Sequence, residues 1–112
     1  MELVNLTPHD IVIVDANLNT VKTIASSGLA RIEEKTGIHS SIPLEDGTHV
    51  GLKTSMLAGV YGLPEATETT YYIVSMIVAT ALKGKRTDLV YPDVVRNDKG
   101  IIIGCKGFIL PV

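Results

Sequence analysis

Between Tyr71 and Pro92 the chain runs YYIVSMIVATALKGKRTDLVYP, and this stretch constrains the fold most tightly. Tyr71 to Val74 are aromatic and β-branched, the composition of a buried strand. Ser75 can accept from the free amides that open a helix, and Met76 to Lys83 suit one. Gly84 follows where a helix stop is expected. Asp88 to Tyr91 return as a second short strand, closed by Pro92. The pattern predicts strand, short helix, strand. Where the two strands neighbour each other, a parallel pair with a right-handed crossover is expected.

The remainder reads as β-structure around this unit. Glu2 to Leu6 alternate and form a first edge strand, which Thr7-Pro8-His9-Asp10 breaks, since Pro8 cannot donate to a ladder. Ile11 to Val14 are continuous in β-branched residues and predict a strand covered on both faces. Residues 15–19 turn, and Val21 to Ile24 return as its hairpin partner. Ser26-Ser27-Gly28 turn again, and Leu29 to Glu34 have no clear buried face. Residues 35–48 are polar, rich in Gly, Ser and Pro, and read as a long connection. Val50 to Thr54 predict a strand, and Met56 to Tyr61 another apolar piece. Residues 62–70 form a loop carrying Glu65 and Glu68. Val94 to Arg96, the turn Asn97-Asp98-Lys99-Gly100, and Ile101 to Gly104 give the clearest hairpin, and Lys106 to Leu110 complete the sheet. With no repeat and no linker, residues 1–112 read as a single domain. The expected fold is α+β: a small, mainly antiparallel sheet or partial barrel with one short buried helix.

Hydrophobic residues make up 46% of the chain, more than so small an interior holds. The surplus predicts a subunit interface and therefore a homo-oligomer. Ten basic against twelve acidic residues leave a net charge of −2, which lacks the phosphate-neutralising footprint of a nucleic-acid binder. The single Cys105 excludes an internal disulfide and fits a reducing compartment. No signal peptide is apparent, and the longest apolar stretch falls short of the ~20 residues that span a bilayer. A cytoplasmic protein is expected.

Several residues could carry chemistry. The helix opening at Ser75 would expose unpaired amides and a positive dipole end to an anion, or Ser75 merely caps the helix. Arg86 and Arg96 could clamp a phosphate or carboxylate, or lie in local ion pairs and solvent; Arg86-Thr87-Asp88 suggests such a pair. His9, His39 and His49 have no metal spacing, although His9 in its tight turn could touch a ligand. Cys105 reads as a packed thiol rather than a nucleophile. Tyr61, Tyr71, Tyr72 and Tyr91 gather around the central unit. Because neighbours on a strand face opposite ways, one of Tyr71 and Tyr72 is expected to face a pocket or interface.

The segments Asn5-Leu-Thr-Pro-His9, Tyr72-Ile-Val-Ser75, Arg86-Thr-Asp-Leu89, Pro92 with Val95-Arg96, and Gly100-Ile-Ile-Ile-Gly104-Cys105-Lys-Gly107 resemble a widespread family of small phage, prophage and bacterial proteins. The resemblance covers most of the chain outside residues 35–60 and implies no established activity. It marks Asn5, His9, Ser75, Arg86, Asp88 and Arg96 as a possible site, to which the pocket-facing reading adds Tyr71. By analogy, a phage setting points to small oligomeric proteins that sequester a nucleotide signal of host defence. Three functions are therefore carried forward. The first is a non-enzymatic protein holding a small anionic ligand such as a cyclic or modified nucleotide. The second is a protein-interaction module or inhibitor of a host defence protein. The third is a nucleotide-processing enzyme using His9 or Asp88. No cofactor or metal is expected.

Overall fold

The structure, a computed structural model, describes residues 1–112, which divide into two compact units: residues 1–31 with 62–112, and residues 32–61. The first unit holds the core. Its strands are β1 (Glu2–Asn5), β2 (Ile11–Val14), β3 (Thr20–Ile24), β6 (Thr70–Ile73), β7 (Leu89–Arg96) and β8 (Ile102–Ile109), with helix α1 (Met76–Ala81) between β6 and β7. The second unit is built from β4 (Arg31–Pro43) and β5 (His49–Tyr61).

The six strands form one sheet in the order β1-β6-β7-β8-β2-β3. Strand, helix, strand appear as the sequence predicts, and β6 and β7 pair in parallel, Tyr72 with Leu89 and Ile73 with Val90. The sheet is mixed rather than mainly antiparallel. β1 also runs parallel to β6 and β2 parallel to β8, while β2–β3 and β7–β8 are antiparallel hairpins. The reason is that β1, β6 and β7 are joined by long connections or a helix rather than tight turns, and only tight turns force antiparallel neighbours. Beyond β3, Ser26 bridges in parallel to Asn5 of β1, so the two edges of the sheet are tied together at that end.

Ile73, Val74 and Leu89 are fully buried, as expected for central parallel strands covered on both faces. The helix is only half-buried. It turns Val78 and Ala79 inward but leaves Met76 and Ile77 exposed. Pro92 does not close β7 but sits within it, where the register to β8 shifts between Pro92 and Val94. A bulge is the place in a ladder that tolerates a residue without an amide proton.

Residues 35–48 are not a long connection. β4 runs to Pro43 and turns over five residues into β5. The amide of Leu44 donates to Thr48 O (2.7 Å) and that of Gly47 to Leu44 O (3.1 Å), with Gly47 at φ 89°. This is a type I turn closed by a left-handed residue. The same geometry recurs from Asn97 to Ile101, with Gly100 left-handed, and from Asp15 to Asn19, where the left-handed residue is Leu18 at φ 65°. Asp15 Oδ1 secures that last turn by accepting from the amides of Asn17 and Asn19.

Leu18 is exposed, so Leu18→Gly loses little packing while removing a side chain from a conformation that costs roughly 1–2 kcal/mol. The added freedom of glycine in the unfolded chain takes back about 0.4–1 kcal/mol. Urea unfolding of the variant is expected to show a net gain of about 0.5–1 kcal/mol.

Candidate functional site

Asn5 is the most deeply committed of the marked residues. It is fully buried, and its amide is consumed inside the protein. Nδ2 donates to His9 O (2.8 Å) and Ile24 O (3.1 Å), while Oδ1 accepts from the amide (3.0 Å) and hydroxyl (2.7 Å) of Thr7. The Thr7 hydroxyl is also within reach of His9 O, at 3.0 Å. The Asn5-Leu-Thr-Pro-His9 segment is thus a knot that fixes the end of β1, the following turn and the end of β3. The spacing Asn-x-Thr before Pro is an Asx-turn signal, and it points to this structural role more directly than to a ligand.

Arg86 and Asp88 form a bidentate pair: Nε reaches Oδ1 at 2.8 Å and Nη2 reaches Oδ2 at 2.7 Å. Nη2 also donates to Pro64 O (3.0 Å). The hydrogen bonds from Arg86 hold the buried Asp88 carboxyl below its ordinary range, and Asp88 in turn raises the guanidinium. The pair staples the α1–β7 connection to the loop before β6. Arg96 closes the far end of β7 and donates to Gly100 O (2.9 Å), bracing the β7–β8 turn. The eight residues of β7 separate the two arginines by roughly 25 Å at ~3.3 Å per residue, so they do not converge on one small ligand. Ser75 is the helix cap, accepting from the Val78 amide at 3.3 Å.

His9 and Tyr71 remain at open surfaces. His9 is exposed at the rim of a cleft of about 290 Å³ whose walls are Ile11, Val12, Pro92, Val94 and Ile103. Tyr71 is half-buried and lines a separate cleft of about 500 Å³ with Met1, Thr67, Glu68, Thr70, Thr87 and Asp88, whose charged side chains are both carboxylates. Its neighbour Tyr72 points into the core. Cys105 is buried, and burial raises its thiol, which keeps it protonated. No three His, Cys, Asp or Glu side chains gather as a metal set, and no helix is long and apolar enough to cross a membrane.

Val50 to Thr54, expected as a strand, lie in β5, and the feature that the sequence reading missed is its partner β4 and the hairpin that the two form. No residue of either thirteen-residue strand is buried, and only Ile32, Gly59 and Val60 are even half-buried. Val50, Leu52, Thr54, Met56, Ala58 and Val60 alternate along β5 and therefore share one face. The register set by Leu44 and Thr48 places Ile42 across from Val50. The one polar member of the row, Thr54, turns its hydroxyl to the Ile38 amide (2.9 Å). Met56 is 64% and Leu52 49% exposed. The opposite face of β5 carries His49, Lys53, Ser55, two glycines, Leu57 and Tyr61, with Ser55 bonded to Glu34 and Tyr61 to Glu33. The alternation and the Asp46-Gly47 turn were the available signals; the polar composition of residues 35–48 obscured them.

Comparison with protein-family models, curated proteins and solved structures finds no match to this chain.

Replacing Asn5 with Ala removes the side-chain partner of the Ile24 carbonyl and of the buried Thr7 amide, while the Thr7 hydroxyl still reaches His9 O. At about 1–3 kcal/mol for each unsatisfied group, Asn5→Ala is expected to cost roughly 3 kcal/mol or more in a denaturant titration. Because the folded Asp88 carboxyl titrates below its unfolded value of about 3.9, its stabilisation is complete above that value. It is lost as the pH falls through the folded value. Asp88→Asn should lower stability at neutral pH and flatten the decline below about pH 4 when unfolding is followed across acid.

Proposed function

We propose that this protein is a non-enzymatic binding protein that acts by contact with another protein chain, with the β4–β5 hairpin as the contact element. The observation that carries the reading is the apolar row along one face of β5, exposed from Val50 to Ala58. Apolar surface gathered on one face of an extended element marks an interaction site, whereas scattered apolar side chains do not. The rest of the molecule supports the same choice. Asn5, Ser75, Arg86 and Asp88 already satisfy one another or the backbone, which leaves little to hold an anionic nucleotide. The protonated Cys105 offers no nucleophile.

A second reading, capture of a small molecule, is favoured by the cleft beside His9. Its volume, about 290 Å³, lies at the lower end for ligand pockets. Its apolar walls suit an uncharged ligand with a compact apolar body better than a phosphate.

The test is site-specific photo-crosslinking in cells that make the full chain. A photoreactive residue in place of Leu52, on the apolar face, is expected to form covalent adducts with protein. The same residue in place of Lys53, on the other face, should form few. Absence of adducts at position 52, or equal yields at both positions, would refute the hairpin as contact element.

A further inference from the structure

We propose that the cleft of about 500 Å³ at the start of β6 binds a small, uncharged, hydroxyl-rich ligand of the monosaccharide or polyol class. The site lies wholly in the first unit and does not depend on the hairpin as contact element.

Three neighbouring parallel strands build the site at the end of the sheet where each begins. Met1 precedes β1, Thr70 and Tyr71 open β6, and Thr87 and Asp88 lead into β7. Thr70 is the residue that points to a ligand. It is only 7% exposed, yet its hydroxyl bonds to no other group of the protein. Thr7, similarly buried, bonds Asn5 and reaches His9 O. Every enclosed side-chain oxygen has a partner, so the little of Thr70 that stays accessible includes its hydroxyl, at the cleft that the residue lines. A hydroxyl in so buried a place costs free energy unless something bonds to it, and within the chain nothing does.

The rest of the wall selects the class of ligand. Arg86 neutralises Asp88 and takes one hydrogen bond on each carboxylate oxygen. A carboxylate has about four acceptor sites, so about two remain on Asp88. Glu68 is exposed and in no salt bridge. These carboxylates repel a phosphate and can only accept. The hydroxyls of Thr70, Tyr71 and Thr87 both donate and accept. A cationic amine would satisfy the carboxylates but offer the three hydroxyl protons no acceptor. Ligand hydroxyls meet both kinds of group, and the half-buried ring of Tyr71 adds apolar surface beside them. The volume falls within the roughly 300–1,000 Å³ of small-molecule sites.

The experiment is an NMR titration of the full chain, following its amides, with glucose, mannose, ribose and myo-inositol, and separately with propylammonium. At least one polyol is expected to shift the amides of Thr70, Tyr71 and Asp88 saturably below about 50 mM. Thr70→Val keeps the shape and removes the hydroxyl. It should weaken that binding about three- to tenfold while leaving the urea midpoint unchanged, because the hydroxyl holds nothing in the fold. Glu68→Gln keeps an acceptor and should change polyol binding by less than about threefold. No saturable shift with any polyol, or equal affinity in Thr70→Val, overturns the proposal. So does a large loss of stability in Thr70→Val, which would make the hydroxyl part of the fold. Tighter binding of propylammonium than of every polyol, abolished by Glu68→Gln, also overturns it in favour of a cation site.

Discussion

The side chain of Asn5 holds the first unit together at the point where the two edges of its sheet are tied. A strand at the edge of a sheet leaves a row of unpaired amides and carbonyls, and β1 and β3 are both edges. One carboxamide with two donors and a two-fold acceptor spans the gap between them. It binds Ile24 O at the end of β3, His9 O across the turn, and both polar groups of Thr7. The backbone completes the tie, with Ser27 donating to Asn5 O and Ala30 to Leu6 O. A hydrophobic residue could fill the same volume, but none could satisfy these carbonyls. A carboxylate would carry charge into the interior and offer no donors.

From that tie follows the division of labour between the units. Within the first, the polar groups that composition would nominate for a ligand are used internally: Asp88 against Arg86, Ser75 against the helix, Arg96 against its turn. No buried side-chain nitrogen or oxygen lacks a partner. The second unit is the reverse. It has hydrogen-bonded turns and cross-strand bonds but no core, and its apolar residues lie on a surface. A protein so arranged is self-sufficient in one part and dependent in the other, and that dependence is the physical basis for assigning the hairpin to contact.

The central strand–helix–strand unit was legible because its local signals agree: β-branched residues, then a capping Ser75, then a helix stop at Gly84. The hairpin turns at Asp15–Asn19 and Asn97–Ile101 were legible from Asx chemistry, even though Leu18 took the position usually given to glycine. Parallel pairing was less so, because pairing of β1 with β6 joins residues more than sixty positions apart, and no local pattern encodes such a partner. The β4 half of the β4–β5 hairpin was missed for another reason. Glycine, serine and charge in β4 resemble a loop when neither strand has a buried face to reveal its period. The site residues were chosen by chemical type, and their types are right for ligand binding. What the sequence could not display is that Arg86, Asp88 and Asn5 find their partners within the chain.

The claim that the core is self-sufficient while the hairpin needs a cover is tested most directly by hydrogen exchange of the intact protein over a dilution series. Amides of β6 and β7 should stay protected at every concentration. Those of β4 and β5 should exchange quickly in the dilute protein, where no second chain covers them. Protection of β4 and β5 that does not change with dilution would contradict the account, because it would mean that the hairpin is stable without a second chain.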